Sequence, residues 1–229
     1  MDFSIKNLWV IRIAGVEVWI TETIVNTWII MLLLIAVALF VRFKMRTFKE
    51  IPAGFQNAVE TIVEMFDGFV RGAVGEKFMY LGNWFFMVFA FVLVSNLSGI
   101  VGMRPPTADW ATTFALAMAT FILIQAMGIA QRKGRYLKSF FEPVFIFFPL
   151  NVIGELARPI SLSFRLFGNV LAGLIFMSLV YGLLPVYLRI ALPAALHAYF
   201  DLFSGVLQTY IFCVLSLTFI STTSSADTP

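Results

Sequence analysis

Several stretches of this chain run for close to twenty residues with almost no charge. That is the length an α-helix needs to cross a hydrocarbon core of about 30 Å. Among its 229 residues, 60% are hydrophobic and 13% charged, which is too apolar for a soluble globular domain. The fold class expected is therefore an all-α integral membrane protein with about five membrane helices. The net charge of +3 is small, and the basic residues cluster in two loops, which argues against a nucleic-acid partner. A single cysteine, Cys213, in an apolar run excludes an internal disulfide. Met1 to Ile20 mixes charged and apolar residues without a continuous apolar core, so no cleavable signal is expected there.

The spans follow from the order of apolar and basic segments. After an outer N-terminal segment, 1–22, the first span is expected over 24–41, and it stops at RFKMRTFK. Arg42, Lys44, Arg46 and Lys49, with no acid among them, place that end in the cytoplasm and the N-terminus outside. Residues 51–75 differ. Val59, Ile62, Val63, Phe66 and Val70 recur at helical spacing, with Glu60, Glu64 and Asp67 on another face, the pattern of an amphipathic helix on the cytoplasmic surface. Spans are expected over 84–101 and 114–130, the latter ending at QRKGRYLK, where Arg132, Lys133, Arg135 and Lys138 again mark the cytoplasm. Long tilted helices are expected over 140–184 and 190–223, with a re-entrant or horizontal start to the first as the alternative. Pro143, Pro149 and Pro159 are expected to break or kink the first of them. The chain forms one membrane domain, 1–229, with a cytoplasmic C-terminus and no internal repeat.

Arg165 lies in the middle of one of these lipid-length segments. Even on a lenient scale an arginine at that depth costs about 2.5–3.5 kcal/mol, and intramembrane charges usually mark ion paths. Helical spacing puts Arg158, Asn169 and Gly173 on the same face, with Glu155 near that stripe. The last helix carries a second stripe: Asp201, Ser204, Gly205, Gln208 and Phe212. Asn169 or Gln208 alone would read as interhelical glue, Arg158 as a snorkelling side chain, and His197 as a polar anchor, since no metal ligands surround it. Arginine stays protonated, so it cannot relay a proton; it can act only on a passing carboxylate or anion. Few acids share its depth, so the carboxylate is expected on another subunit.

RPISLSFRLFGN, Arg158 to Asn169, preceded by NVIGE and followed by VLAG, resembles subunit a of F-type ATP synthases. VSNLSG, PTADWATTFALA and GVLQTYIFCVLS agree with it in order, so the resemblance covers nearly the whole chain from the first span onward. It implies that Arg165 is the stator arginine facing the carboxylates of a rotating c-ring, with Asn169 and Gln208 as polar neighbours. It implies further that Asn96 and Asp201 belong to an outer half-channel, and that Glu155, with Ser161 and Arg158 nearby, lines an inner one. Two departures thin the outer half-channel: Leu174 stands where many relatives place a carboxylate, and Ser98 and Gly99 where others carry an aspartate. His197, one turn from Asp201, is a candidate to compensate.

The expected function is thus a stator ion channel with two offset half-channels, through which H⁺ or Na⁺ flow drives a c-ring. The alternatives are a secondary transporter or another membrane ion channel. The implied partners are the c-ring, the b subunit of the peripheral stalk, the catalytic sector reached through the stalks, and membrane lipids. The resemblance implies a bacterial plasma membrane. The chain carries no GxxxxGK[ST] motif, so ATP chemistry is expected in a partner; no cofactor or metal site and no catalytic site of its own are expected.

Overall fold

The computed structural model describes residues 7–13, 16–142, 144–183, 185 and 191–225. Five of its helical segments are long and apolar enough to cross a membrane: Glu22–Met45, Glu76–Val101, Trp110–Arg132, Phe145–Leu183 and Leu192–Ser224. The chain is a multi-pass, all-α membrane protein preceded by one small hairpin.

That hairpin occupies the N-terminal segment. Strands β1 (Asn7–Ile13) and β2 (Val16–Thr21) pair antiparallel, with Val10 opposite Trp19 and Arg12 opposite Glu17. NLWVIRI and VEVWIT are rich in β-branched and aromatic residues, which favour a pleated ribbon. The Arg12 and Glu17 side chains meet at 2.7 Å, but both are exposed, so the pair contributes little stability. Strand β2 leads directly into helix α1 (Glu22–Met45), where the Thr21 hydroxyl caps the first turn by accepting from the Ile24 backbone N–H.

Helix α1 buries only Thr23, Asn26 and Ile30, and most of its large apolar side chains remain exposed, as suits a helix surrounded by lipid. Helix α2 (Phe55–Val74) is not among the segments apolar enough to cross. It buries Phe66, Val70 and Val74 along one face and leaves Glu64 outward. The Gln56 amide fastens its start to the basic loop, accepting from Lys49 N–H at 2.9 Å and donating to Lys49 C=O at 2.7 Å.

A 3₁₀ turn (Glu76–Leu81) enters helix α3 (Gly82–Leu97), and a second one, Ser98–Val101, follows it. Helix α4 (Trp110–Arg132) begins at an Asp109 cap whose carboxylate accepts from the Ala111 N–H at 3.0 Å. Lys133, at φ 50°, turns the chain into the short helix α5 (Gly134–Ser139). Helix α6 (Phe148–Leu183) then runs for 36 residues. At 1.5 Å per residue it is about 54 Å long, well beyond a hydrocarbon core, so it must tilt or project.

Two of the three prolines expected to interrupt this region do not break the helix. Pro149 stands in the first turn of α6, where its missing N–H is not needed. Pro159 lies inside α6, which continues through it; packing by neighbouring helices makes this tolerable in a membrane protein. The actual start is a 3₁₀ turn at Phe145–Phe147, in place of a helix from 140. Pro143 lies outside the described residues.

The last helix is built from α7 (Ala191–His197), a π-helical segment (Ala198–Ser204) and α8 (Gly205–Ser225). Helix α8 packs against α2, α3, α4 and α6. The core forms where Phe212, Leu217 and Ile220 meet Phe85 and Val92 of α3, Ile124 of α4, and Leu162 and Leu166 of α6. At Gly128 a Cβ would fall 2.8 Å from the Thr223 methyl and 2.9 Å from the Tyr136 ring, so only glycine allows this approach of α4 to α8.

Candidate functional site

Arg165 projects from an exposed face of α6 and forms no ion pair or hydrogen bond among the described residues. Ser161, Phe164, Gly168, Ala172, Phe176 and Leu179 share that exposed face at steps of three and four. The opposite face, Leu162, Ser163, Leu166, Gly173 and Met177, is buried against the bundle. The guanidinium therefore stands on a face of small and apolar residues that this chain leaves uncovered. Ser161 belongs to that face, not to the surroundings of Glu155 where the sequence reading placed it.

One turn after Arg165, Asn169 links α6 to the last helix: its Oδ1 accepts from the Ser204 hydroxyl at 3.0 Å. Gln208, one turn further along α8, is buried, and its Nε2 has no hydrogen-bond partner among the described residues. An amide left open in the interior is expensive unless something binds it.

Asn96 is fully engaged. Its amide donates to Gly205 C=O at 3.0 Å and to the Thr209 hydroxyl at 3.2 Å, while its Oδ1 accepts from Thr107 at 2.7 Å. This node ties α3 and the loop before α4 to the start of α8. Thr107 and Thr209 were not singled out from the sequence. Thr107 is fully buried because the PPTAD turn folds back against α3, which its polar composition does not announce.

Asp201 lies in the π-helical segment Ala198–Ser204. Asp201 and Gly205, one turn on, both face the end of α3: the Asp201 carboxylate lies against Gly99 and Gly205 against Asn96. The Asp201 carboxylate lies 2.5 Å from His197 Nδ1 and faces Gly99, where a Cβ would come within 3.0 Å of its Cγ. His197 Nε2 is 3.2 Å from the Tyr181 hydroxyl near the end of α6. Nothing in AYFDLFS signals a π turn, and Tyr181 has no pattern that would have named it.

A separate polar cluster surrounds Glu155. Its Oε1 pairs with Arg158 Nη2 at 2.9 Å, and its Oε2 accepts from Gln125 at 3.1 Å. The Gln125 Oε1 in turn accepts from the Tyr136 hydroxyl at 2.5 Å. Arg158 also donates to Thr223 at 3.3 Å and lies over the Phe219 ring at 5.1 Å, so it is held inside the bundle instead of snorkelling. The cluster opens into a cavity of about 430 Å³ shared by the ends of α4, α6 and α8 with α5. Burial pushes the Tyr136 hydroxyl above the ordinary tyrosine range, and the nearby Glu155 charge adds to the shift.

Residues 24–221 match the family described as ATP synthase A chain. An ATP synthase subunit a of Moorella thermoacetica is 38% identical over 204 residues, covering 88% of this chain and 90% of its own length. The subunit a of Propionigenium modestum, named as sodium ion specific, is 35% identical over 222 residues, covering 88% of this chain and 73% of its own length. An ATP synthase subunit a of a Picosynechococcus species is 34% identical over 211 residues, covering 91% and 88%.

Proposed function

The chain belongs to the ATP synthase A chain family, and we infer from that premise that Arg165 divides two offset half-channels for H⁺ or Na⁺. A stator subunit of the membrane sector, taking part in ion translocation alongside the other ATP synthase subunits, is what the relatives support. The observation that carries the finer reading is the unpartnered state of Arg165 on an exposed apolar face. A permanent charge without a counterion, in a segment of membrane length, is stable only if a carboxylate from another chain visits it.

The c-ring supplies that carboxylate. At about 4 Å and an effective dielectric near 20, the attraction is about 4 kcal/mol, or roughly three pKa units. That suffices to make a carboxylic acid release its ion as it reaches Arg165. The small side chains Ser161, Gly168 and Ala172 on the same face let a rotor helix come close. Ions arrive from outside past Asp201 and His197 and then Asn169, with the open Gln208 amide available to a passing carboxylate or ion. Asn96 holds the walls of that path, since both of its N–H groups are committed. Once loaded, the neutral carboxylate can cross lipid, which the ionised form cannot. It releases its ion on the Glu155 side, where the polar cavity leads out.

The two basic segments, 42–49 and 132–138, orient this cavity towards the cytoplasm of a bacterial cell and the hairpin outwards. Each charge moved across 100 mV supplies about 2.3 kcal/mol for rotation. The b subunit of the peripheral stalk holds the chain still against the c-ring, and the catalytic sector makes ATP. The test is Arg165→Ala in the intact complex, reconstituted into vesicles. Gradient-driven synthesis should vanish while passive ion leak persists or rises. Synthesis at the normal rate would make the arginine structural and overturn the reading.

A further inference from the structure

We propose that Phe164, buttressed by Trp110, is the second wall of the seat in which a rotor helix presents its carboxylate to Arg165. This aromatic wall holds the visiting helix in place and keeps water from it. The proposal rests on the reading above and adds a pair of positioning residues to it. Phe164 directly precedes Arg165 and is 53% exposed. Its ring stacks on Trp110, itself 42% exposed, with centroids 5.8 Å apart and planes at 28°. Trp110 in turn lies against Phe114 at 5.0 Å. The three rings form a ladder that crosses from α4 onto α6 and ends beside the Arg165 guanidinium.

The seat has a floor and two walls. At about 100° per residue, Phe164 and Arg165 stand about 100° apart around α6, and Ser161, Gly168 and Ala172 fall between them. All three are exposed, and a Cβ on Gly168 would meet nothing within 4 Å among the described residues. Arg165 is the wall on the side of the last helix, where Asn169 accepts from Ser204. Phe164 is the wall on the side of α4. A groove of small residues between two larger ones is the shape into which the ridge of a neighbouring helix packs.

The aromatic wall is held rigid, which a side chain facing only lipid does not need. Trp110 opens α4, and its backbone is fixed from both sides. Before it, the buried turn Pro106–Ala108 is locked to α3 through the Thr107 bond to Asn96, and the Asp109 carboxylate caps the helix. After it, the Thr113 hydroxyl donates to Trp110 C=O at 3.0 Å. About 22 Å further along α4, the seam between α4 and α6 holds the polar contact of Gln125 with Glu155. The ladder closes the other end of that seam, next to Arg165. Dryness there matters to the chemistry, because the attraction between a guanidinium and a carboxylate falls about fourfold when water replaces protein around the pair.

The experiment uses the intact complex in sealed vesicles, with a gradient of whichever of H⁺ or Na⁺ drives the wild type. Two rates are read: ATP synthesis at a fixed gradient, and passive decay of the gradient without nucleotide. Trp110→Ala should raise the decay and lower synthesis, each by about threefold or more, the change in open population that loss of one aromatic pair allows. Trp110→Phe keeps a stacking ring and should restore both rates to within about twofold of wild type. Phe164→Ala should match Trp110→Ala, and it carries the test alone if Trp110→Ala fails to assemble. The double alanine variant should be no worse than the more impaired single one, since the two rings act as one wall. Wild-type decay and synthesis in either assembled alanine variant overturn the wall, as do losses that multiply in the double variant. Arg165→Ala in the same vesicles separates the two readings. Synthesis retained there sinks the whole translocation reading; synthesis lost there, with both aromatic variants unchanged, sinks the wall alone.

Discussion

Arg158 and Arg165 stand two turns apart on one helix in opposite conditions. Arg158 is half-buried, paired with Glu155 at 2.9 Å, bonded to Thr223 and laid over Phe219, whereas Arg165 is exposed and bonded to nothing among the described residues. The sequence places both in one apolar run; only packing separates their roles. Arg158→Ala should therefore act on stability. It leaves Glu155 half-buried without its cation, at a cost of about 1–3 kcal/mol, and should lower the thermal midpoint of the detergent-solubilised complex. Arg165→Ala should leave that midpoint unchanged while abolishing coupled synthesis. A drop of equal size in both would show that the two arginines serve the same structural purpose.

Arg165→Lys is the sharper substitution at the exposed position. Lysine keeps a charge but loses the planar fork, and desolvation can neutralise it, which a guanidinium resists. Severe loss of gradient-driven synthesis with normal assembly is the expected outcome. Synthesis within about twofold of wild type would mean that any cation suffices there.

Asn96 gives a prediction about architecture. Its three hydrogen bonds join α3, the loop before α4 and the start of α8. Asn96→Leu fills a similar volume but strands the buried Thr107 hydroxyl, while Gly205 C=O keeps the Thr209 hydroxyl. The loss expected is about 1–3 kcal/mol for one stranded buried group, nearer the lower end for a membrane bundle. Chemical unfolding of the purified chain in detergent would measure it, and an unchanged midpoint would remove Asn96 from the lock.

How much of this was legible beforehand varies with the kind of signal. The spans were legible because membrane length and hydropathy act through composition, which Glu22–Met45 and Trp110–Arg132 carry openly. Arg165 was legible because its cost in lipid is large and local. The N-terminal hairpin was not, since two short strands broken by Arg12 and Glu17 give too little alternation to stand out. The π segment around Asp201 was hidden for another reason: no residue type in it announces a widened turn. The Gln125–Tyr136 bridge to Glu155 joins three successive helices across separations of 11 and 30 residues, which no helical-period pattern reports.

Tyr136 links the inner cavity to pH. Burial raises its pKa above the usual value of 10.0, with Glu155 adding to the rise. The folded state thus prefers the neutral phenol more than the unfolded chain does. Its contribution to stability is complete below about pH 10. It is lost as pH climbs towards and through the raised folded value. Phenolate absorbance should show one tyrosine ionising later than the rest, and Tyr136→Phe should remove that component. The variant should also lose stability less steeply in alkali. An alkaline slope identical in both proteins would show that Tyr136 does not hold its proton through burial.

Orientation is the last prediction, because the assignment of outer and inner half-channels depends on it. The basic runs at 42–49 and 132–138 should lie in the cytoplasm. Met45, Gly134 and Val101 are exposed and lie at turns or helix ends, so each can be replaced by cysteine and reached by a water-soluble maleimide. The natural Cys213 is fully buried in the core and should stay silent as background. In intact cells, reagent that cannot cross the membrane should label Val101→Cys and spare Met45→Cys and Gly134→Cys. In inverted vesicles the pattern should reverse. Labelling of Val101→Cys only in inverted vesicles would turn the molecule over. The His197–Asp201 pair would then face the cytoplasm and the Glu155 cavity the outside, and the direction of ion flow assigned to each would exchange with it.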